Sequence, residues 1–282
     1  MCKYLILGNG FVGQRFAGFL DNAVVAAGRI GSVRDVLGMI EEHRPEWVIN
    51  CVGKTGTPNI DWCETHKSET LFANTTVPLM ILEACLKSAV KLLHMGTGCI
   101  YEGDNGGAGF GEDDEPNFVG SFYSRTKLRT EKLLAEFDVL QLRVRMPIDA
   151  VASPRNLITK LLQYDAVIDV PNSVTVVRDF LQAAQELMNR GAVGIYNVVN
   201  PGPVSARDVL ACYNQYASEP KSYHVVSLAD LEKRIAARRS NCILSTDKIS
   251  AVGIRMTPMG EALPQLVKQY LDQAALGLRG RT

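Results

Sequence analysis

The sequence predicts an α/β fold, a parallel β-sheet with helices on both of its faces. Three observations lead to this prediction. Short apolar runs alternate with segments of helical periodicity, which makes successive strands parallel and joins them through helices. A glycine turn follows the first apolar run. The length of 282 residues is enough to bury a substantial core.

The elements follow in chain order from the two periodicities. Strands are predicted from short apolar runs bounded by turn residues, at 3–7, 23–26, 47–53, 90–95, 139–145, 166–170 and 195–199. Helices are predicted from apolar residues three and four apart, after residue 13 and at 33–43, 69–88, 121–137, 158–163, 177–190, 205–216, 228–237 and 260–275.

The composition argues against several classes of function. Thirty basic and 30 acidic side chains cancel, so the charge indicates neither a nucleic-acid partner nor a membrane surface. The seven cysteines are scattered without the spacing of a zinc site, which predicts reduced thiols in a cytoplasmic protein and no metal. No apolar run approaches ~18 residues and the first residues read as a strand, so we expect neither membrane insertion nor secretion.

The glycine turn after the first strand is typical of dinucleotide binding. Gly-x-Gly-x-x-Gly is a weak signal alone, but between a strand and a helix it lets backbone amides close on a pyrophosphate at the positive helix N-terminus. A plain Gly-rich turn is the alternative. The predicted cofactor-binding residues of the turn are Gly8, Asn9, Gly10, Phe11, Val12 and Gly13.

The second predicted strand leads to a residue that favours NADPH over NADH. A cofactor without a 2′-phosphate usually meets an Asp or Glu about 20 residues after the glycines. Here the chain offers Arg29, with Arg34 nearby. NADH remains possible, and the alternative for Arg29 is a solvated side chain in a turn.

The turn after the third predicted strand lies at the carboxyl edge of the sheet, where ligands bind in such folds. Gly53 would let the chain pass close to the adenosine ribose. The further residues assigned to the cofactor are Asn50, Val52, Gly53 and Asn74.

The reaction chemistry is predicted around Tyr123 and Lys127. Residues four apart share a helix face, so the ammonium can lie beside the phenol and lower its pKa. Thr97, at the end of the preceding strand, could complete a trio around a carbonyl oxygen. Tyr-x-x-x-Lys is common by chance, and an ordinary Tyr with a solvated Lys is the alternative. Both residues are also assigned to the cofactor site.

No internal repeat or low-complexity linker separates the C-terminal part, so we expect it to be interleaved with the first domain. The predicted architecture is a Rossmann-type doubly wound parallel sheet with a smaller, interleaved C-terminal substrate-binding lobe. The sheet domain comprises residues 1–147 and about 167–200, and the lobe comprises 148–166 and 201–282. The glycine- and acid-rich loop 102–120 is expected to be either a mobile lid or a solvated loop.

The glycine turn, the Asn50 turn, Thr97 and Tyr123-x-x-x-Lys127 together resemble the extended short-chain dehydrogenase/reductases. The resemblance narrows to the nucleotide-rhamnose synthase/epimerase-reductase enzymes, relatives of dTDP-4-dehydrorhamnose reductase, and it covers residues from about 3 to about 250. The segments that carry it are 58–64, 97–100, 116–123, 142–147, 154–160, 169–173 and 237–241. The glycine turn is more compact than in those relatives, and the 102–120 loop is shorter.

The resemblance implies reduction of the C4 ketone of a nucleotide-linked 6-deoxyhexose with a nicotinamide cofactor. Bifunctional members first invert C3 and C5, while the ketone still acidifies the neighbouring C–H groups. In reduction, Tyr123 would protonate the alkoxide, Lys127 would lower the Tyr123 pKa and hold the ribose, and Thr97 would polarise the oxygen.

Two further residues match the family's proposed acid and base. Cys99 matches the family's proposed base, which removes a proton, and Lys160 matches the proposed acid, which returns one. A thiol suits the first role, because it needs only modest help from nearby cations to ionise. A Cys at a strand end is more often a packing residue, and a Lys on a helix is usually solvated. Only the paired match supports the two roles.

Three residues are assigned to the nucleotide-diphosphate sugar substrate. Asn156 lies in a segment that matches the family, and Arg239 with Asn241 would suit the diphosphate or nucleotide, because a guanidinium fits phosphate oxygens. The alternative for Arg239 is a basic, exposed helix end. The four histidines form no cluster in the sequence and receive no role.

The expected activity is therefore an NADPH-dependent 3,5-epimerase/4-reductase that converts a UDP- or dTDP-linked 4-dehydro-6-deoxy-D-glucose to the L-rhamnose nucleotide. A reductase without epimerase activity and a non-catalytic Rossmann regulatory subunit are the alternatives. A dehydratase is disfavoured, because Gly98 and Cys99 stand where that branch has Asp-Glu. Family habit predicts a homodimer.

Overall fold

The strands of the protein form one large and two small sheets in the computed structural model, which describes residues 2–279. The strands of the large sheet run parallel, so their carboxyl ends, including Asn50, lie at one edge of the sheet. The strands are β1 (Tyr4–Leu7), β2 (Ala23–Val25), β3 (Trp47–Asn50), β4 (Lys91–Thr97), β5 (Val139–Val144), β6 (Pro147–Ile148), β7 (Ala166–Ile168), β8 (Asn172–Val176), β9 (Gly194–Asn197), β10 (Asn200–Val204) and β11 (His224–Val226).

The large sheet has the strand order β2-β1-β3-β4-β5-β9, and its strands pair in parallel. From β1 the chain moves outward to β2 and then returns to the other side of β1 as β3. The order reverses there, and the crevice at the carboxyl ends of such strands is where open α/β sheets bind ligands. This sheet confirms the predicted fold class.

The helices cover both faces of the large sheet and build the second lobe. They are α1 (Phe11–Phe19), α2 (Val33–His43), α3 (Asp61–Thr65), α4 (Lys67–Leu71), a π-helical turn (Phe72–Thr76), α5 (Val77–Ser88), α6 (Phe122–Leu134), α7 (Leu157–Leu161), α8 (Val177–Asn189), α9 (Ala206–Tyr216), α10 (Leu228–Glu232), α11 (Asp247–Ala251) and α12 (Met259–Arg279). Phe16 of α1 packs edge-on against Phe180 of α8 on one face, while Val36 of α2 and Ile81 of α5 are buried on the other.

The C-terminal part forms a smaller lobe around its own core. In the lobe, β8 pairs with β6 and β10, and β7 pairs with β11. Ile158, Val209 and Leu263 belong to one buried cluster contributed by α7, α9 and α12. Within the segment 167–200, α8 and β9 pack with the large sheet, whereas β8 lies in the small one. The domain boundaries drawn from the sequence stay a prediction.

The 102–120 loop differs from both expectations, because its aromatic side chains are buried. Tyr101 stacks on Phe110 with ring centroids 4.6 Å apart, and the loop backbone bridges Gly103 to Cys242 and Phe110 to Leu244. The loop is thereby packed onto the segment that precedes α11.

Candidate active site

The glycine turn brings β1 and α1 into close backbone contact while leaving one side open. A Cβ on Gly13 would stand 2.0 Å from the Gly8 carbonyl oxygen, and a Cβ on Gly8, which has φ +106°, would stand 2.8 Å from the Cys51 carbonyl carbon. No atom lies within 4 Å of a Cβ built on Gly10. The first turn of α1 holds no acidic side chain and no side-chain cap. This open, amide-lined helix N-terminus fits a pyrophosphate.

The other predicted residues of the turn line the same helix start. Asn9 is exposed and its amide oxygen accepts a hydrogen bond from Gln14 Nε2. Phe11 and Val12 are half-buried and pack against the core of the large sheet. They hold the helix in place below the open side of Gly10.

Arg29 lies at the same edge of the sheet as the glycine turn, because β2 runs parallel to β1 with Val25 opposite Ile6. Its side chain is exposed, as is that of Arg34, and neither forms an ion pair within residues 2–279. An exposed guanidinium at this position fits a 2′-phosphate.

The turn after β3 is shaped by two buried amides. Asn50 Oδ1 accepts a hydrogen bond from the Val52 amide at 3.0 Å. Asn74 accepts from the Lys54 amide at 2.7 Å and donates to the Lys54 carbonyl at 3.0 Å. Gly53 is exposed between them. Through these hydrogen bonds, Asn50 and Asn74 stabilise the backbone turn that carries Val52 and Gly53.

The predicted helix 69–88 is interrupted at Asn74 by the π-helical turn Phe72–Thr76. Turns of this kind inside helices often occur at functional sites. Here the wider turn places the Asn74 amide against Lys54 and against Thr126 Oγ1 at 3.3 Å. Periodicity alone cannot find such a turn, because one extra residue hardly changes the apolar pattern.

Three of the predicted catalytic groups lie together at the carboxyl end of β4. Thr97 Oγ1 accepts a hydrogen bond from the Cys99 amide at 3.1 Å, which folds the chain into a tight turn. Tyr123 is 9% exposed. Burial raises its pKa, the Cys99 charge raises it further, and a hydrogen bond with the Thr97 side chain acts in the opposite direction. The phenol, the hydroxyl and the thiol thus influence one another directly.

The predicted lowering of the Tyr123 pKa by Lys127 is wrong for this structure, because burial of the phenol dominates. Lys127 Nζ lies 3.1 Å from His94 Nε2 and 2.6 Å from the Met95 carbonyl oxygen instead. Burial lowers the pKa of Lys127 to about 8. The two side chains share a helix face, as predicted, but the amine turns toward β4.

His94, which received no role from the sequence, connects Lys127 to Asn50. Because the Val52 amide donates to Asn50 Oδ1, Asn50 Nδ2 donates to His94 Nδ1 at 2.9 Å. A neutral imidazole then carries its hydrogen on Nε2, facing the Lys127 amine. Burial, together with the Lys127 charge, keeps the pKa of His94 well below its usual range. This chain of hydrogen bonds suits a neutral amine at Lys127.

Lys160 of α7 is half-buried and lies within electrostatic reach of Cys99. Burial lowers its pKa, the nearby charges of Arg155 and Arg239 add to this, and the Cys99 charge acts in the opposite direction. Lys160 forms no ion pair within the described chain. The charge of Cys99 therefore acts on Lys160, while the base and acid roles of the two residues stay a prediction.

The residues assigned to the substrate are held by internal contacts. The prediction that Asn156 binds the substrate is wrong. Its side chain is fully buried, and the amide forms hydrogen bonds with the backbone of Asp149, Val151 and Ile158, which leaves no free donor or acceptor. It caps α7 and does not face a ligand.

Arg239 is not on an exposed helix end, because no helix covers residues 237–241. Its guanidinium contacts both carboxylate oxygens of Asp61, at 2.9 and 2.8 Å. Asn241 accepts a hydrogen bond from Asn172 Nδ2 at 3.0 Å. Asp61, which the sequence did not single out as a site residue, therefore fixes the Arg239 guanidinium. Its role depends on a contact across 178 positions, and no local signal predicts it.

Two features are absent from the part of the chain that the structure describes. No group of three or more His, Cys, Asp or Glu side chains could hold a metal ion. None of the helices there combines the length and the apolar character that crossing a membrane requires.

Sequence relatives match most of the chain. A bifunctional dTDP-4-dehydrorhamnose 3,5-epimerase/dTDP-4-dehydrorhamnose reductase of Arabidopsis thaliana is 39% identical over 248 residues, covering 86% of this chain and 82% of the relative. A trifunctional UDP-glucose 4,6-dehydratase/UDP-4-keto-6-deoxy-D-glucose 3,5-epimerase/UDP-4-keto-L-rhamnose-reductase of the same plant is 39% identical over 259 residues, or 88% of this chain. The chain spans only 39% of that larger protein.

Solved structures agree with the fold. The L780 UDP-rhamnose synthase of Acanthamoeba polyphaga mimivirus superposes with a TM-score of 0.89 and 31% identity, covering 95% of this chain and 99% of that one. The dTDP-4-dehydrorhamnose reductase of Bacillus anthracis, solved in complex with NADP, superposes with a TM-score of 0.78, covers 94% and 98% of the two chains, and at 20% identity supports the fold alone. A sequence model described as the RmlD substrate binding domain matches residues 5–272. The chain belongs to this family, which the sequence motifs had indicated.

Proposed function

We propose that this protein is an NADPH-dependent 3,5-epimerase/4-reductase that converts a UDP- or dTDP-linked 4-dehydro-6-deoxy-D-glucose to the L-rhamnose nucleotide. The names of the Arabidopsis and mimivirus relatives support this activity. The observation that carries it is the grouping of Thr97, Cys99 and Tyr123 at one strand end, with Lys160 in reach of the same thiol.

In the inversion steps, the Cys99 thiolate takes the proton from C3 or C5. The C–H bond breaks and its electron pair enters the enolate of the C4 ketone. Lys160 returns a proton to the opposite face of the ring, and its lowered pKa makes the ammonium a better acid near neutrality. Thr97 donates a hydrogen bond to the C4 oxygen, where the negative charge develops.

In the reduction step, Tyr123 gives its phenolic proton to the C4 oxygen. Burial keeps the phenol protonated until that oxygen becomes basic. Bound NADPH would supply the hydride for C4. Lys127, whose pKa of about 8 lies near working pH, can then return a proton toward Tyr123.

The residues that would hold NADPH are those around the open glycine turn. The amides of Gly10 and the first turn of α1 would meet the pyrophosphate, Arg29 the 2′-phosphate and Lys127 the nicotinamide ribose. Asn50, Val52, Gly53 and Asn74 would contribute through the turn after β3. For the substrate, we propose that Arg239 and Asn241 lie on the side of the nucleotide diphosphate.

Supplying both the UDP- and the dTDP-linked 4-keto-6-deoxyglucose tests the proposal. We expect NADPH to be oxidised faster than NADH at equal concentration, and NMR to identify the L-rhamnose configuration in the product. A product reduced at C4 without inversion at C3 and C5 would show that the protein is a reductase without epimerase activity. Absence of oxidation with either sugar would favour a non-catalytic regulatory subunit and contradict the proposal.

We also propose a cytoplasmic location, which the free thiols among the described residues support because reducing compartments keep cysteines unpaired. Fractionation of the source cells tests it directly. The homodimer expected from the family stays a prediction, and light scattering of the purified protein measures its mass.

A further inference from the structure

Arg145 is a buried guanidinium that lies directly against the Cys99 sulfur. The residue is 3% exposed, and its Nη1 donates to Cys99 Sγ at 2.9 Å. Its Nη2 donates to the Ser240 carbonyl oxygen at 2.9 Å and to Asn172 Oδ1. These contacts fix the plane of the guanidinium, so one edge is presented to the thiol.

No carboxylate within residues 2–279 forms an ion pair with Arg145. The neighbouring Arg143 is equally buried but contacts Glu131 at 2.8 Å. A buried cation without an anion is unfavourable, because it has lost its hydration and gained no opposite charge. An anion among the groups that surround Arg145 would therefore be stabilised by it.

The ionisable groups that face this site are two thiols, a phenol and an amine. Cys242 is 1% exposed and its Sγ donates to the Gly98 carbonyl oxygen at 3.2 Å, a bond that needs the thiol hydrogen. Burial raises the pKa of Cys242 and of Tyr123. Lys160 is a cation when charged and cannot compensate Arg145. Cys99 alone is partly exposed and in direct contact with the guanidinium.

Gly98 makes this contact possible. A Cβ at position 98 would stand 2.8 Å from Arg145 Cγ and 2.6 Å from Leu244 Cδ1. The side chain of Arg145 therefore crosses beneath the strand end through space that a larger residue would fill. The Gly98-Cys99 pair thus places the sulfur above the guanidinium.

We propose that Arg145 is a positioning residue that holds Cys99 as a thiolate directed toward the sugar ring. That the thiolate acts as a base rests on the proposed function. That Cys99 is present as a thiolate does not. In the inversion, the C–H bond breaks, the proton moves to Cys99 Sγ, and the electron pair enters the enolate. Arg145 keeps its proton and its charge throughout.

Alkylation of Cys99 by iodoacetamide, followed by mass spectrometry of its peptide, tests the thiolate across a range of pH. In the wild type we expect Cys99 to be alkylated at neutral pH well before Cys242. Arg145→Gln should slow this reaction at neutral pH by about tenfold or more, because a cation at contact distance shifts the balance between thiol and thiolate by that amount. Arg145→Lys, which keeps a charge, should restore part of the rate.

The outcome that overturns the proposal is a folded Arg145→Gln protein whose Cys99 is alkylated as fast as in the wild type. Should Arg145→Gln fail to fold, Gly98→Ala provides the second variant, since the added methyl displaces the Arg145 stem while keeping its charge. We expect it also to slow alkylation. A wild-type Cys99 that reacts only above about pH 8.5, as a free thiol does, would equally overturn the proposal.

Solvent deuterium exchange at C3 and C5 separates this inference from the proposed function. We expect Arg145→Gln to lower that exchange more than it lowers NADPH oxidation with an already inverted 4-keto sugar. A wild type with a reactive Cys99 but no exchange at C3 and C5 would contradict the epimerase activity and still support the thiolate.

Discussion

At the scale of single residues, burial sets the protonation states on which the chemistry depends. It raises the pKa of Tyr123 and lowers that of Lys127, so each group favours its neutral form. A neutral phenol can donate a proton, and an amine with a pKa of about 8 can both take up and return a proton near neutral pH. The hydrogen bonds through His94 to Asn50 select the same state of Lys127.

Replacing Tyr123 with Phe should slow NADPH oxidation by roughly 10²- to 10⁴-fold, the usual contribution of a positioned acid. Deuterium exchange at C3 and C5 should remain, because Cys99 and Lys160 are retained. The matched control is Tyr4→Phe, which removes a hydroxyl from another buried phenol, at the start of β1. A Tyr123→Phe enzyme that oxidises NADPH at the wild-type rate would exclude the phenol as the proton donor.

Lys127→Met should reveal the buried amine through the pH dependence of stability. Because the folded pKa of about 8 lies below the unfolded value of about 10.4, the unfolded chain binds more protons between these values. Stability therefore rises with pH across that window. Relative to Lys127→Met, the wild type should gain roughly 2–3 kcal/mol in free energy of unfolding from pH 8 to pH 10.4.

Urea denaturation of both proteins at several pH values measures this difference. A difference between wild type and variant that stays constant with pH would mean that Lys127 is not a depressed amine.

The sequence identified Thr97, Cys99, Tyr123 and Lys160 through their motifs, and the first three lie together at the end of β4. His94 and Arg145 were not predicted from the sequence, and the reason is physical. His94 meets Asn50 because β3 and β4 pair in that register, and Arg145 meets Cys99 across 46 positions. Neither the register of β3 against β4 nor the contact of Arg145 with Cys99 can be deduced from the local sequence pattern.

At the scale of elements, the glycine turn separates a packing role from a binding role. Gly13→Ala adds a methyl group 2.0 Å from the Gly8 carbonyl oxygen, which should cost roughly 1–3 kcal/mol of stability. Gly10→Ala meets no atom within 4 Å and should leave stability within about 0.5 kcal/mol. Its methyl group would stand where a pyrophosphate approaches the amides, so NADPH affinity should fall about tenfold or more.

Chemical denaturation and fluorescence titration with NADPH distinguish the two variants. Unchanged NADPH binding by Gly10→Ala would place the pyrophosphate elsewhere.

Helix α6 is tied to β5 by a buried ion pair. Glu131 and Arg143 have side chains that are 5% and 2% exposed. Glu131→Gln leaves the guanidinium buried without an anion and should cost about 3–5 kcal/mol. The control, Glu83→Gln, breaks an exposed pair with Lys87 and should cost less than about 1 kcal/mol. Equal effects in thermal unfolding would show that burial does not govern these pairs.

Several element boundaries were predictable because caps and periodicity agree. The helix Val33–His43 was predicted with these bounds, and Ser32 forms its capping box. Ser121 caps α6 as expected, by accepting from the Ser124 amide. The strand β8 was missed because its polar residues are buried and break the apolar run. The strand β10 was missed because Pro201, Gly202 and Pro203 read as a turn.

At the scale of the whole molecule, the alternation of strands and helices was sufficient to predict the parallel sheet, since crossover connections leave few other arrangements. The packing of the 102–120 loop was not predictable. Its composition is that of a solvated segment, yet Glu112 accepts a hydrogen bond from the Asn197 amide at 2.7 Å and Phe110 is buried. Those partners lie more than 80 positions away.

The central claim is that one chain inverts two carbons and then reduces a third at a single site. Conversion of the 4-keto-6-deoxyglucose nucleotide with NADPH in deuterated water, followed by mass spectrometry and NMR of the product, tests it most directly. The account predicts an L-rhamnose nucleotide with solvent deuterium at C3 and C5 and solvent-derived hydrogen absent from C4. A reduced product without deuterium at C3 and C5 would contradict it.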